Sequence, residues 1–450
     1  MSDQDIHPIK YSELRSIYKY YIDSFDALYQ LKTENEEDLN KIYKILKTEL
    51  IDSKKYLPKN LIEDILVLIS YNNRYTMSYL KLVKKISDEY HVTEVNGFRD
   101  VFNYIFYKEY GIILNKSSNF EHILFENIDI LSEDTIYRAI MNNDLERFIS
   151  FTERDGFHEN QKLESDLFPN PSYCYVSGYS LLELCCYYGA VDCFKFLITK
   201  FKSKITQTCL EFSFLGGNQE IMSECLKHQE PNEKCMKYAI ISHNIDFVTF
   251  LMNEYNLKIN LDSCHYYNNL DAFLVYFAQT NDINECFVSS TLFDIPSLCE
   301  YFLLHGVDIN AKNNDGQTAL HKAAQNNLKE IAEFLISHGA NINEKGQDGE
   351  NALHFAAYYN SKETAEFLIS HGANINEKNN YEQTALHEAA LNNSKETAEF
   401  LISHGANINE KDKVGETALH KAALSNSKEI CKLLIPENYT FRHFWVASRP

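Results

Sequence analysis

The chain has 450 residues, 44% of them hydrophobic, and a formal net charge of −21 at pH 7. This apolar content is enough to bury a core without the help of metal ions or disulfides. The negative charge would repel a phosphate backbone, so it disfavours nucleic-acid binding. Four lysines within 195–204 form a local basic cluster, which we interpret as a solvated face rather than a binding patch.

The N-terminal residues and the cysteines indicate the cellular compartment of the protein. The first five residues, Met-Ser-Asp-Gln-Asp, lack the basic and apolar segments of a secretion signal, and no apolar run reaches membrane-spanning length. Ten of the eleven cysteines lie between Cys174 and Cys299, without the paired close spacings of a zinc site. We expect reduced core cysteines and therefore a reducing compartment. The sequence predicts a cytoplasmic protein without membrane contact, with the nucleus as the alternative location.

Residues 1–130 are predicted to form an N-terminal helical domain of unknown function. Five segments alternate apolar and charged residues at helical spacing, and Pro58 stands near the start of the third. These segments are 11–31, 37–51, 61–70, 76–90 and 98–110. No motif in them indicates an activity.

From 131 to 310 the pattern changes to pairs of short helical stretches, each joined by a tight turn. The first pair is 136–151, with Asn143 in its turn, and an insertion follows at 153–175. A second pair has Gly189 at its turn. Later turns lie at Gly217-Asn218, His243-Asn244, Asn268-Asn269 and Asp294-Ile295, about 26 residues apart. This short period leaves little room for a long connection between pairs.

From 311 to 436 one unit of 33 residues is repeated four times. Thr-Ala-Leu-His begins at 318, 384 and 417, with Asn-Ala-Leu-His at 351. His-Gly-Val or His-Gly-Ala keeps the same step, at 305, 338, 371 and 404. Because two separate motifs share one period, a whole structural unit is repeated, and the sequence predicts a stacked array.

Each repeat is predicted to contain two helices. Thr318 suits a helix N-cap because its hydroxyl can accept a hydrogen bond from a free N–H of the first turn. A turn at Asn326-Asn327 follows this first helix. The second helix, 329–337, carries apolar residues at a period of 3.6, and Gly339 ends it. The polar stretch 341–350 then forms a finger that connects to the next repeat.

These repeats resemble ankyrin repeats, a turn–helix–helix family of the same length whose hallmark is Thr-Pro-Leu-His. Alanine replaces the family's proline and asparagine replaces its inter-helix glycine in all four repeats. Both are compatible with the fold, since alanine suits a first turn and asparagine visits the left-handed region readily. Glu382 replaces the finger-tip glycine found at Gly316, Gly349 and Gly415. We expect that finger to be strained by roughly 1 kcal/mol or rebuilt locally.

The resemblance implies an all-α, ankyrin-type helical-repeat solenoid with short β-turn fingers, preceded by an N-terminal helical domain. The stretch 131–310 is interpreted as degenerate ankyrin-like pairs. This degenerate stretch, especially 238–310, resembles the uncharacterised helical segment that precedes ankyrin repeats in large protist families, and that segment has no assigned activity. Residues 437–450 are a tail, whose aromatic residues either fold back over the last repeat or fray. These residues are Tyr439, Phe441, Phe444 and Trp445.

Catalytic and metal-binding motifs are not recognisable. His387-Glu388 begins like the zinc-binding HExxH helix, but Leu391 stands where the second zinc ligand would be. The repeated histidines recur once per repeat, roughly 10 Å apart in a stack of packed helices, so they cannot converge on one metal ion. They are His321, His354, His387 and His420. The resemblance implies that each bonds to neighbouring backbone. We therefore expect a non-enzymatic protein without metal, cofactor or small-molecule substrate.

The differences among the four strong repeats indicate where a partner would bind. The second helices are almost identical, whereas the finger tips and the ends of the first helices vary. In ankyrin repeats these positions line the concave groove. The predicted partner-binding residues are Asn314, Asp315, Gln317, Gln325, Gln347, Asp348, Glu350, Tyr358, Tyr359, Tyr381, Gln383, Leu391, Asn392, Lys413, Glu416 and Leu424. Tyr358, Tyr359, Tyr381 and Leu391 are the predicted anchors, because large apolar side chains dominate interface energetics.

Three hypotheses of function follow. We favour a scaffold or adaptor that holds a protein partner on the groove, although neutral drift at unconstrained positions would produce similar differences. The alternative is a structural spacer, whose N-terminal helical domain makes the functional contacts. The third is regulation of an enzyme within residues 1–130.

Overall fold

The computed structural model describes residues 11–53, 55–95, 99–116, 125, 128, 134–169 and 178–435. They divide into an N-terminal unit that ends at Thr280 and a C-terminal unit that begins at Asn281. Helices account for nearly all regular structure in the described ranges, which confirms the all-α prediction. The predicted capping or fraying of Tyr439, Phe441, Phe444 and Trp445 concerns residues outside these ranges. The four-segment division expected from the sequence stays a prediction.

Six helices form the first part of the N-terminal unit. They are α1 Tyr11–Ile17, α2 Lys19–Tyr29, α3 Glu36–Ile45, α4 Pro58–Leu68, α5 Thr76–Tyr90 and α6 Asp100–Tyr110. The helix expected over 11–31 is broken at Tyr18, where φ is −99° and ψ is 19°. A π-helical stretch, Leu46–Ile51, continues α3, and two 3₁₀ turns, Ile69–Tyr71 and Asn73–Tyr75, follow α4. Leu, Ile and Tyr side chains on the facing sides of these helices are buried.

Five helix pairs form the rest of the N-terminal unit. They are α7 Ile136–Met141 and α8 Leu145–Thr152, α9 Leu181–Tyr188 and α10 Val191–Lys200, α11 Gln207–Gly216 and α12 Gln219–Leu226, α13 Glu233–Ile241 and α14 Ile245–Tyr255, and α15 Leu261–Tyr266 and α16 Leu270–Thr280. Within the expected insertion, β1 Lys162–Leu163 pairs antiparallel with β2 Tyr179–Ser180, just before α9. The turn residues expected at Asn143, Gly189, Gly217, His243 and Asn268 all have φ between 50° and 70°. They join the helices of each pair in the left-handed conformation.

The C-terminal unit is a two-layer stack of helix pairs. Its helices are α17 Ile283–Ser290 and α18 Pro296–Leu304, α19 Ala319–Gln325 and α20 Lys329–Ser337, α21 Ala352–Tyr358 and α22 Lys362–Ser370, α23 Ala385–Leu391 and α24 Lys395–Ser403, and α25 Ala418–Leu424 and α26 Lys428–Leu434. The first helices of successive pairs contact one another in one layer, and the second helices do so in the other. Ala323 and Ala324 are fully buried between neighbouring first helices, as close packing requires.

Asparagine at the inter-helix turn connects one repeat to the next. Asn327, Asn360, Asn393 and Asn426 have φ between 55° and 58°, in the left-handed region. The Asn360 side-chain oxygen also accepts hydrogen bonds from the backbone N–H and the hydroxyl of Thr397, both at 3.1 Å, in the following repeat. Asn327 bonds Thr364 in the same way. Glycine at this turn would supply the conformation but not these bonds, so the departure from the family pattern adds contacts between repeats.

The repeated histidines attach each first helix to the next finger. His321, His354 and His387 are buried at N3 of their helices. Nε2 of each donates to a carbonyl oxygen of the following finger, on Glu344 at 3.0 Å, Gln383 at 3.1 Å and Glu416 at 3.2 Å. Nδ1 accepts from the backbone N–H of the N-cap residue, such as Thr318 at 2.9 Å. The implied bonding to neighbouring backbone is confirmed in these three repeats.

The finger that carries Glu382 keeps the geometry of the other fingers. Glu382 has a φ of 59°, and its N–H donates to the Asn379 carbonyl at 3.0 Å. Gly415 has a φ of 86° and makes the equivalent bond to Asp412 at 2.9 Å. Of the two outcomes expected at this position, the structure shows a strained left-handed glutamate and not a rebuilt turn.

Candidate partner-binding groove

Finger tips and first-helix ends form a continuous band along the C-terminal unit, which we call the groove band. The last two finger tips each bond the preceding one: the Asn380 N–H donates to the Asp348 carbonyl, and the Lys413 N–H donates to the Tyr381 carbonyl, both at 2.9 Å. At the helix ends, the Ser394 hydroxyl donates to the Tyr358 carbonyl at 3.0 Å. These bonds repeat with the stack and keep the variable side chains in register.

The four predicted anchors are exposed in this band. Tyr358, Tyr359, Tyr381 and Leu391 expose between 40% and 52% of their surface. The rings of Tyr358 and Tyr359 lie 4.7 Å apart between centroids, and the Tyr381 hydroxyl donates to an Asp348 carboxylate oxygen at 3.3 Å. Their large apolar surfaces are therefore available for contact and are not part of the core. Partner binding at these residues stays a prediction.

The other predicted contact residues also reach the surface. Those that are exposed are Asn314, Asp315, Gln347, Asp348, Lys413 and Leu424. Those that are partly buried are Gln317, Gln325, Glu350, Gln383, Asn392 and Glu416. None of them has a fully buried side chain, so the structure groups all of the predicted residues on accessible finger tips and helix ends.

Two carboxylates, one in the groove band and one buried in α23, have raised pKa values. Glu350 is half-buried, and its pKa is raised by burial and then by Asp348. Glu388 is buried, and burial, followed by the charge of Glu350, raises its pKa to about 7. The nearby Lys421 is held by Asp412 and Glu416, with Nζ 2.7 Å from an oxygen of each. This part of the C-terminal unit therefore carries a locally negative charge when both carboxylates are ionised.

Sequence reasoning missed the buried carboxylate of Glu388, and it also missed the residues that shape the finger tips. Side-chain oxygens of Asn313, Asn379 and Asp412 accept backbone hydrogen bonds across their fingers at 2.8 to 3.1 Å. The signal was present, because Asn or Asp recurs at this position in three of the four fingers and Gly346 occupies the fourth.

In α23, neither ring nitrogen of His387 is available to a metal ion. The Nε2 and Nδ1 atoms of His387 are both engaged in backbone hydrogen bonds, and Glu388 accepts a bond from Asn379 at 3.3 Å. Within the described ranges, no group of three or more His, Cys, Asp or Glu side chains is arranged to hold a metal ion.

In the N-terminal unit, the corresponding positions are covered by the N-terminal helices. The Tyr21 hydroxyl donates to the Asn268 side-chain oxygen at 2.8 Å, and His243 Nδ1 lies 2.8 Å from an Asp26 carboxylate oxygen. His243 and Asn268 are turn residues between paired helices. The Tyr187 hydroxyl, at the end of α9, donates to the Ser70 carbonyl at 2.7 Å. The α1–α5 region thus binds the helix ends of its own unit.

The architecture and the groove band define a helical-repeat solenoid in the C-terminal unit. A family model described as ankyrin repeats (3 copies) matches residues 290–379 and 372–442, and a domain of unknown function, DUF3447, matches residues 201–276. A search of curated proteins gave no match. The chain therefore contains ankyrin repeats at 290–442, preceded by this domain and by an N-terminal helical region.

These matches confirm the resemblance and refine its extent. The ankyrin match begins at 290, the last residue of α17, so it includes α18, which the sequence placed among degenerate copies. The uncharacterised segment was expected in the degenerate stretch, especially over 238–310; the matched domain lies within that stretch and overlaps 238–310 at 238–276. Ankyrin repeats are typically protein-interaction modules without catalytic activity. No described helix combines the length and apolar character needed to cross a membrane.

Proposed function

We propose that this chain is a non-enzymatic scaffold or adaptor that binds a protein partner on the groove band of its ankyrin repeats. The supporting observation is a contrast between equivalent positions. Tyr187 and Tyr188, at the end of α9, are 4% and 8% exposed beneath the N-terminal helices, whereas Tyr358 and Tyr359, at the end of α21, are 42% and 48% exposed. In the N-terminal unit the tyrosine pair at this helix end is covered by other residues of the chain, whereas in the C-terminal unit the equivalent pair is exposed.

The arrangement of the anchors suits protein recognition. Tyrosine offers a large contact area with few rotatable bonds and a hydroxyl that can donate at the rim of an interface. Here three tyrosines and a leucine lie on adjacent repeats held in register by backbone bonds. Neutral drift explains variable sequence at these positions, but it does not explain why the variation concentrates apolar surface on neighbouring repeats.

The cytoplasmic location is part of the same proposal. All ten cysteines within the described ranges are buried thiols, as expected of a protein that folds in a reducing compartment. Burial raises the pKa of several of these thiols, among them Cys193 and Cys235 to about 12, so they remain protonated and unreactive at neutral pH.

Affinity capture from native cytosol tests the proposal. The full chain is compared with a groove variant in which Tyr358, Tyr359, Tyr381 and Leu391 are replaced by alanine, and retained proteins are identified by mass spectrometry. A control variant replaces four exposed apolar residues outside the band: Leu57, Tyr107, Tyr266 and Leu304.

We expect the wild type and the control variant to retain a partner that the groove variant loses, with the melting temperature of the groove variant nearly unchanged. Identical partners on the wild type and the groove variant would move the binding surface elsewhere. Loss on the control variant alone would place the contacts outside the groove band and support the spacer hypothesis.

A further inference from the structure

The covered tyrosine pair of the N-terminal unit has the same local setting as the exposed pair of the C-terminal unit. Ser180 caps α9 and Asn351 caps α21, and each forms a capping box with the residue at N3. Tyr187-Tyr188 and Tyr358-Tyr359 both stand seven and eight residues after their cap. A left-handed residue follows each pair, Gly189 with φ 67° and Asn360 with φ 58°. The two pairs are therefore structural equivalents.

The bound state of the first pair is visible within the chain. The segment 70–74, in the 3₁₀ turns after α4, lies against it. The Tyr187 hydroxyl donates to the Ser70 carbonyl at 2.7 Å, and the Tyr188 hydroxyl donates to the Asn73 side-chain oxygen at 2.8 Å. The guanidinium of Arg74 lies 5.5 Å from the Tyr188 ring centroid and donates to the Tyr188 carbonyl at 2.9 Å. A helix end that carries an arginine thus fits this tyrosine pair.

The exposed pair Tyr358-Tyr359 has a nearby acidic residue in the sequence that the covered pair Tyr187-Tyr188 lacks at the equivalent position. Position 350, directly before the cap of α21, is a glutamate, whereas the equivalent residue before the cap of α9 is Tyr179. Burial, followed by Tyr358 and the charge of Glu350, raises the pKa of Tyr359. Glu350 also acts on the buried Glu388. A guanidinium placed here would find an aromatic face and the partly exposed carboxylate of Glu350.

We propose that Tyr358 and Tyr359 bind an arginine-bearing helix end of the partner protein. The guanidinium packs on Tyr359 and pairs with Glu350, while the tyrosine hydroxyls donate to carbonyl or amide oxygens of the same segment. This inference rests on the proposed function, because it specifies the chemistry of the partner at the groove band. The segment 70–74 of this chain is already bound in its own unit, so the occupant is a different protein.

Selection from a displayed library of random peptides, with the full chain as bait, tests this chemistry directly, whatever the identity of the partner. Peptides that bind the wild type are counter-selected on a Tyr358→Ala/Tyr359→Ala variant. The control bait is Tyr107→Ala, which removes a tyrosine of matched exposure, 43%, outside the groove band. Recovered peptides are then synthesised with arginine, lysine or alanine at the enriched basic position, and their affinity is measured for the wild type and for Glu350→Gln.

The expected result is a set of peptides enriched in arginine that bind the wild type and Tyr107→Ala equally. Replacing the arginine with alanine weakens binding about tenfold, and lysine restores only part of the lost affinity. A guanidinium can stack on an aromatic ring and donate two hydrogen bonds to one carboxylate, whereas an ammonium group cannot do both. Glu350→Gln reduces affinity for the arginine peptide but not for its alanine form.

Several outcomes would overturn the inference. They are selected peptides without a basic residue, arginine peptides that bind the tyrosine variant unchanged, or no enrichment over that variant. Concentration-dependent self-association of the wild type that the tyrosine variant loses would assign the site to a second copy of the chain. If the groove variant loses its cytosolic partner but the peptides show no arginine dependence, the proposed function stands and this inference fails.

Discussion

Replacing Glu382 with glycine is expected to stabilise the protein. Glu382 occupies the tip of its finger with φ 59°, a conformation in which an L side chain is crowded against its own backbone. Glycine occupies the equivalent position with φ between 72° and 86° in the other three fingers. The Glu382 side chain is exposed, so little contact is lost when it is removed.

The magnitude follows from two opposing effects. Relief of the left-handed conformation is worth roughly 1 to 2 kcal/mol. Glycine gives back about 0.5 to 1 kcal/mol because it increases the conformational entropy of the unfolded chain. The net gain is about 1 kcal/mol in the free energy of unfolding, or about 2 to 4 °C in the melting temperature of a unit of this size.

Urea and thermal unfolding of the full chain, followed by circular dichroism, measure this gain. The matched control is Glu382→Ala, which removes the same charge but keeps a β-carbon, and it should leave stability close to that of the wild type. Equal stabilisation by alanine and glycine would refute the reasoning, since the gain would then come from charge removal and not from the backbone.

Four further predictions concern the same repeats. Gly349→Ala should destabilise the protein more than Gly415→Ala. A β-carbon at 349 would lie 2.3 Å from the Asn380 side-chain oxygen, whereas a β-carbon at 415 would have no neighbouring atom within 4 Å. Equal losses of unfolding free energy would contradict this. Asn360→Ala should reduce the free energy of unfolding by roughly 2 kcal/mol, because its bonds to Thr397 are lost. Asn426→Ala should reduce it by less, because no described repeat follows Asn426. Urea unfolding of the two variants measures the difference. Burial raises the pKa of Glu388 to about 7 from an ordinary 4.5. The unfolded chain therefore ionises first, and the free energy of unfolding falls as the pH rises from about 4.5 to about 7. Glu388→Gln should therefore stabilise the protein at pH 8 by roughly 2 kcal/mol more than at pH 5, and a gain independent of pH would exclude the assignment. In the same repeats, burial lowers the pKa of His321 and His354 to about 4. NMR titration should therefore show both imidazoles neutral until well below the ordinary pKa near 6.5. Because the unfolded chain binds these protons first, the protein loses stability as the pH falls below 6.5.

The repeat architecture could be predicted because its determinants are local. The second helix expected over 329–337 coincides with α20, since its apolar period, its N-terminal turn and Gly339 all act within a few residues. Turn spacing extended the same reasoning upstream, where His243 adopts a φ of 50° although it is neither glycine nor asparagine. Short-range rules therefore identified helix pairs even where the family pattern was weak.

The packing of the N-terminal helices could not be predicted, because it depends on long-range contacts. Tyr21 and Asn268, which share a hydrogen bond, are 247 positions apart, and no sequence pattern links the two positions. The break at Tyr18 had no glycine or proline to mark it. In the groove band, variation among repeats located the exposed tyrosines correctly, but the raised pKa of Glu388 depends on which first helices are neighbours, and that is a property of the stack.

Hydroxyl-radical footprinting of the full chain with a captured partner tests the central claim most directly. The account predicts that Tyr358, Tyr359 and Tyr381 become protected from oxidation in the complex, while Tyr107, which is also exposed but lies in α6, does not change. Protection confined to Tyr107 or other residues of the N-terminal unit, with the three groove tyrosines oxidised as in the free chain, would contradict it.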